Sequence, residues 1–222
     1  MKKAVIFDFD YTLGDSTNGI VKSALYALEK MGEKNKTEKE IINTIGLSLE
    51  ETYRVLTNKE NTENEKLFRK YFIEKADEVM VKSTSLYENT VFVLENLKKE
   101  NFKTAIVTTK LNSRIKSILQ KFDISDLIDV IVGVEDVKKV KPDPEGLFLA
   151  LEKLCLKKEE VFYIGDSFVD AEASQNANID FLGILTGTTS KEVFLNYSNK
   201  GICKDIKQAY NLVINNREEK YI

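Results

Sequence analysis

A chain of 222 residues with 42% hydrophobic content is long enough for one sizeable buried core, with room for a smaller insert. A net charge of −3 gives no basic footprint for nucleic acid, the apolar run after Lys3 is too short for a signal peptide or membrane span, and with only two cysteines a reducing cytoplasm is the expected setting. The absence of histidine removes Ser-His-Asp triads, phosphohistidine chemistry and His-rich zinc sites, and two cysteines are too few for a disulfide scaffold.

The first predicted element is a buried strand over 4–7, which runs straight into Asp8 and Asp10, with Thr12 two residues later. Residues 16–83 then carry no strand signal. They carry three capping-box patterns, Thr37…Glu40, Ser48…Glu51 and Thr62…Glu65, each marking a helix start. Leu67, Phe68, Tyr71, Phe72, Ala76, Val79 and Met80 form one apolar helical stripe. A helical module is therefore predicted over 16–83, inserted into a core of 1–15 and 84–222.

Short β-branched runs resume at 104–107, 130–132, 161–164 and 181–185. Amphipathic helices separate them: 113–122 with Ile115, Ile118, Leu119 and Phe122 on one face, and 144–156 with Leu147, Phe148, Leu151 and Leu154. Asp143 reads as the N-cap of the second helix and Pro144 as its first residue, while Cys155 reads as core packing. The last eight residues, 215–222, read as the end of a surface helix followed by a frayed terminus. Near-continuous apolar strands alternating with helices predict an α/β fold: a Rossmann-like parallel sheet with helices on both faces, plus the all-helical insert.

Ligands of such a sheet bind beyond the carboxyl ends of its strands. The first strand delivers Asp8, Asp10 and Thr12 there. The second delivers Thr108, Thr109 and Lys110, and the fourth Asp166 and Asp170. Singly, each has a plain structural reading as a turn, a helix cap or a β-former. Jointly, four carboxylates converging on one crevice could not all ionise without cations. A Mg²⁺ ion with oxygen ligands, together with a lysine, resolves the repulsion and makes a seat for a phosphate dianion. The only two prolines, Pro142 and Pro144, single out Lys141 as a lysine held by a rigid turn, whereas Lys138 and Lys139 read as solvated.

These residues carry a family resemblance. "DFDYT", "VTT", "VKPDP" and "GDSFVDAEAS" resemble, in order, the four motifs of haloacid dehalogenase-like hydrolases. The helical insert resembles the C1 cap of that superfamily, and "TIGLSLEETY" resembles the cap segment of phosphoglycolate phosphatase-like members. The resemblance implies that Asp8 is the nucleophile and forms an aspartyl-phosphate, and that Asp10 is the general acid and then the base. It implies that Thr108 hydrogen-bonds the phosphoryl oxygens and that Lys141 neutralises charge. Asp166 would bind Mg²⁺, with Asp8 and the backbone carbonyl of Asp10 as further ligands. Asp170 would act through metal-bound water or orient Lys141, and Thr12 would brace the first loop. Thr109 and Lys110 resemble the Asn-Lys that often follows the second motif.

Two positions depart from the family. Tyr11 stands where many relatives have Gly; it packs against the cap, narrows the entrance or is a partly exposed loop aromatic. Gly14 stands where relatives often have an apolar residue and is expected to loosen the hinge into the cap. In the cap, Ser48, Glu51 and Arg54 are candidates for contacting the leaving group, with Lys22 as another cation, although Ser48 and Glu51 also read as a capping box.

The implied activity is Mg²⁺-dependent hydrolysis of phosphate monoesters of small metabolites, phosphoglycolate phosphatase-like, by a monomer or weak homodimer. The alternatives are a phosphotransferase of the β-phosphoglucomutase type, a 5′-nucleotidase or pyrophosphatase on the same fold, and a non-catalytic phosphate-binding or Mg²⁺-binding regulator. The missing hinge histidine weighs against the mutase. The presence of Asp10 weighs against the family's dehalogenases and phosphonatases.

Overall fold

The structure, a computed structural model, describes residues 1–218. The strands, in chain order, are β1 (Ala4–Phe7), β2 (Gly14–Asp15), β3 (Ser85–Leu86), β4 (Lys103–Val107), β5 (Val130–Val132), β6 (Val161–Gly165), β7 (Asp180–Ile184) and β8 (Gly201–Cys203). The α-helices are α1 (Thr17–Lys30), α2 (Glu38–Ile42), α3 (Leu49–Thr57), α4 (Thr62–Ser83), α5 (Thr90–Lys99), α6 (Asn112–Lys121), α7 (Glu145–Leu154), α8 (Phe168–Ala177), α9 (Lys191–Phe194) and α10 (Ile206–Glu218).

The chain divides into two compact units, one of Met1–Gly14 with Leu86 onward and one of Asp15–Ser85. In the first unit, six parallel strands form a sheet in the order β5-β4-β1-β6-β7-β8. All four residues of β1 are buried, because a central strand of a parallel sheet is covered on both faces. Alternation sends Ala4 and Ile6 to one face with Ala105, Val107, Val161 and Tyr163, where Leu147, Leu151 and Leu154 of α7 and Ala173 and Ala177 of α8 close over them. The chain builds β4 and β5 on one side of β1, then returns to build β6, β7 and β8 on the other, so the strand order switches beside β1.

The second unit is helical apart from Asp15 of β2 and Ser85 of β3, the two paired strands through which the chain enters and leaves it. Val21, Ala24, Leu28, Ile41, Tyr53, Phe68, Phe72, Ala76 and Met80 form its core. A Cβ added at Gly19 would lie 2.8 Å from Met80 Sδ, so glycine permits the close approach of α1 to α4.

Several expectations are corrected. β8 is a sixth strand that the sequence reading lacked. The capping boxes at Thr37 and Ser48 are present, but the third is not: Asn61 caps α4, accepting from the N–H groups of Glu63 and Asn64, and Thr62 is the first helical residue. A longer-range partner takes Glu65, as described below. Asp143 does not cap α7; its carboxylate accepts from the N–H of Glu145, and Pro144 is the cap. Phe148 is 48% exposed, and Ala150 takes the buried position in its place. Cys155 is exposed rather than packed in the core, because it ends α7 in the left-handed conformation, φ 55°. Leu67 likewise lies at the exposed margin of its stripe. The surface helix expected at the C-terminus runs to Glu218, and residues 219–222 lie outside the described ones. Among the described residues, no helix is long and apolar enough to cross a membrane.

Candidate active site

The register of the sheet builds the site. Phe7 stands level with Ile106 of β4 and Ile164 of β6, so the residues that follow arrive together at one edge. The N–H of Asp8 donates to Ile164 O at 2.9 Å and that of Thr108 to Val132 O at 3.0 Å, extending the ladder to its last rung. Beyond Asp8 the backbone curls. The N–H groups of Leu13 and Gly14 both donate to Phe9 O, at 2.9 and 3.0 Å, and Tyr11 N donates to Gly14 O at 2.8 Å. Gly14 is therefore bonded at both its N–H and its C=O, so the turn is held rather than loosened. Tyr11 sits at φ 56°, a conformation costing a non-glycine residue roughly 1–2 kcal/mol. A glycine at this position would carry no such cost. The hydroxyl of Thr186 donates to the carbonyl of Tyr11 and braces the same turn.

The curl brings two lysines onto the paired aspartates. Lys141 Nζ lies 2.7 Å from Asp8 Oδ1 and 2.6 Å from Asp170 Oδ1, and donates to the Tyr163 hydroxyl at 3.1 Å. Lys110 Nζ lies 2.6 Å from Asp10 Oδ2, while Asp10 Oδ1 is buried without a hydrogen-bond partner. Thr12 donates to Asp166 Oδ1 at 3.2 Å, and Thr108 Oγ1 accepts from Lys110 N at 3.2 Å. Asp170 Oδ2 accepts from both the N–H and the hydroxyl of Ser167, at 3.1 and 2.5 Å. All of these residues are buried.

Burial and like charge set the protonation of the cluster. Burial raises the Asp8 carboxyl to about 7, with Asp170 and Asp10 adding to the rise and Lys141 opposing it. Burial, then the charges of Asp170 and Asp8, hold Asp166 well above the ordinary carboxylate range. Asp170 is equally buried, yet its contacts with Lys141, Ser167 and Tyr163 outweigh that and keep it below its ordinary value. For Lys141, burial favours the neutral amine, but Asp170 and Asp8 prevail and the ammonium is strengthened.

Four carboxylates facing two ammonium groups would leave negative charge uncompensated, and Asp8 and Asp166 are the two whose charged forms are disfavoured. Oxygens of Asp8, Asp166 and Asp170 lie within 4.8 Å of one another. An all-oxygen donor set with surplus negative charge fits a hard divalent cation. Asp170 is near enough to join, but its two oxygens already accept four hydrogen bonds, which leaves Asp8 and Asp166 as the side chains open to an ion.

Asp8, Asp10, Thr12, Thr108, Lys141, Asp166 and Asp170 thus come together, with Thr109 half-buried after Thr108. In the helical unit, Ser48 exchanges hydrogen bonds with Glu51 in a capping box, and Arg54 makes a two-pronged bond to Glu65, at 2.8 and 2.9 Å. Lys22 is exposed.

Sequence reasoning missed Tyr163, a strand residue in an apolar run, and the loop after β7. A Cβ added at Gly187 would stand 1.9 Å from Asp166 Oδ2, so this loop lies directly against the carboxylate. The dipeptide Thr186-Gly187, one residue beyond the end of β7, was the available signal.

Carboxylates and lysines gathered at the switch point of a parallel sheet, with a helical insert after the first strand, define a class of hydrolases. A family model described as haloacid dehalogenase-like hydrolase matches residues 5–184, and the chain belongs to that family. A protein of Bacillus velezensis named Pyrophosphatase PpaX is 32% identical over 82% of each chain. A structure from Bacteroides fragilis described as a haloacid dehalogenase-like hydrolase superposes with a TM-score of 0.92 at 39% identity, covering 94% of this chain and all of that one. A Haemophilus somnus protein described as a predicted phosphoglycolate phosphatase superposes at 0.84 over 96% of this chain and 98% of that one; at 22% identity the likeness is one of fold.

Proposed function

We propose that this hydrolase is a Mg²⁺-dependent phosphatase that cleaves phosphate monoesters of small metabolites through an aspartyl-phosphate on Asp8. The observation that carries the reading is Asp8 held 2.7 Å from the Lys141 ammonium at a strand end, two residues before Asp10 with its unpartnered Oδ1.

An oxygen of Asp8 attacks phosphorus, the bond to the leaving oxygen breaks, and that oxygen takes a proton from Asp10. Water then attacks the phosphorus of the aspartyl-phosphate and gives its proton to Asp10. The bond to Asp8 breaks, releasing inorganic phosphate and the free carboxylate. Splitting the displacement in two lets one pair of aspartates serve both halves. Lys141 offsets charge on Asp8 and the phosphoryl group, while Lys110, on Asp10 Oδ2, leaves Oδ1 to exchange the proton. Thr108 offers its hydroxyl to the phosphoryl oxygens. Mg²⁺, held by Asp8, Asp166 and the backbone carbonyl of Asp10, would supply charge neutralisation for nucleophile and phosphate. Asp170 orients Lys141, and Thr12 orients Asp166.

A second reading, pyrophosphate as substrate, is favoured by the name of the Bacillus velezensis relative and by Lys110, a cation beside the proton donor that suits an anionic leaving group. The test is a panel of phosphorylated metabolites and pyrophosphate, assayed with Mg²⁺ and with Asp8→Asn as the blank. Release of phosphate by the wild type, at least 10⁴-fold faster than by Asp8→Asn, is expected, as for loss of a nucleophile. Turnover of no phosphate compound would overturn the reading. Pyrophosphate leading the panel in kcat/KM would establish the second.

A further inference from the structure

Tyr163 lies in the middle of β6, and its ring belongs to the hydrophobic core, 6.0 Å from that of Phe181. A phenylalanine would fill the same space. The hydroxyl, however, reaches into the ion cluster. It donates to Asp170 Oδ1 at 2.6 Å and accepts from Lys141 Nζ at 3.1 Å.

The proton count fixes the direction of these bonds. A phenol has one proton and an ammonium has three. The phenol proton goes to Asp170, so toward Lys141 it can only accept. The three Lys141 protons face Asp8 Oδ1, Asp170 Oδ1 and Tyr163 Oη. Tyr163, Asp170 and Lys141 thereby close a ring of hydrogen bonds at the base of the nucleophile. A lysine side chain is otherwise flexible, with about 2 kcal/mol of rotamer entropy to restrain.

We propose that Tyr163 is a positioning residue for phosphoryl transfer: its hydroxyl locks Asp170 and Lys141 so that the ammonium stays on Asp8. This rests on the phosphatase reading above. The lock fixes the attacking carboxylate and not the bound substrate, so its loss falls on kcat more than on KM.

The experiment compares Tyr163→Phe with Phe181→Leu, which disturbs the same aromatic contact without touching the hydroxyl. Thermal stability and the kinetics of Mg²⁺-supported p-nitrophenyl phosphate hydrolysis are measured for both. Tyr163→Phe should lower kcat about 10- to 100-fold, the size expected for one hydrogen bond to a charged group, with KM within about twofold. Phe181→Leu should lower Tm while keeping kcat within about twofold. A Tyr163→Phe enzyme with wild-type kcat would overturn the positioning role while leaving the phosphatase reading intact. So would a Phe181→Leu enzyme that loses as much kcat at a comparable loss of Tm. A wild type without turnover on this ester or any in the panel overturns the phosphatase reading, and the inference with it.

Discussion

The two units handle charge in opposite ways. In the helical unit, Arg54 and Glu65 meet in a two-pronged bond, and each is stabilised in its charged form: Glu65 is shifted down by its hydrogen bonds from Arg54, and Arg54 is shifted up by those to Glu65. In the sheet unit, Asp170 and Lys141 are likewise stabilised as ions, but Asp8 and Asp166 are pushed the other way by burial and by each other's neighbours. A satisfied pair holds structure together. A cluster with charge left over is arranged for something that arrives, which under the proposed function is a cation and a phosphoryl group.

The sharpest way to break this contrast is to move the Asp166 carboxylate slightly. Gly187 has no left-handed backbone, so alanine is compatible with its φ, and the added Cβ is the whole perturbation. With that atom 1.9 Å from Asp166 Oδ2, either the loop or the carboxylate must shift. Gly187→Ala should lower kcat/KM about 10²-fold, the scale of a displacement of about 1 Å at a catalytic group, and raise the Mg²⁺ concentration needed for half activation. Calorimetric titration with Mg²⁺ checks the second effect without turnover. Wild-type Mg²⁺ affinity in Gly187→Ala would mean that the loop gives way instead of the carboxylate; wild-type affinity in Asp166→Asn would show that Asp166 does not hold the ion.

A smaller effect is expected in stability. The Asp8 carboxyl stands at about 7 when folded, above its ordinary value, so the folded state holds a proton that the unfolded chain gives up at lower pH. Its contribution is full in acid and declines as pH rises toward 7. For the metal-free wild type, roughly 2–3 kcal/mol should be lost between pH 5 and pH 8 from this group, or roughly 5–10 °C in Tm. In Asp8→Asn the decline should be clearly smaller. Mg²⁺ should stabilise the wild type more at pH 8 than at pH 5. Parallel Tm profiles for the two proteins in chelator would refute the account of Asp8 as a site of surplus charge.

The same contrast explains what the sequence made legible. Strand ends could be read because apolar runs stop abruptly at Asp8, Thr108 and Asp166, and parallel strands in register must deliver those residues to one edge. Lys141 was legible through its two neighbouring prolines. Tyr163 was not, because inside "VFYIG" a tyrosine is a good β-former and nothing local shows that its hydroxyl has polar partners. Gly187 was not, because its role lies in an atom it lacks, measured against a carboxylate 21 residues earlier. Asn61 displaced the expected capping box because Glu65 is drawn to Arg54, a contact across two helices that no window of four residues contains. The family motifs named the chemistry, while the bracing of the motifs became visible only in three dimensions.

The smallest effects should lie in the helical unit, at the residues proposed from sequence to meet the leaving group. Ser48 caps α3 through its hydroxyl, and Glu51 returns the bond, so the pair already satisfies the helix start. Arg54 spends two guanidinium nitrogens on Glu65, although its side chain is 46% exposed. Ser48→Ala should destabilise the protein by about 1 kcal/mol, the usual loss for a helix cap, with kcat/KM within about twofold of wild type. Arg54→Ala should leave kcat/KM similarly unchanged on the best substrate of the panel. A tenfold fall in kcat/KM for Arg54→Ala, at unchanged Tm and confined to substrates with an anionic leaving group, would reverse the assignment. Arg54 would then belong with Lys110 among the groups that choose the substrate, and the satisfied pair with Glu65 would be a resting arrangement that the leaving group competes to open.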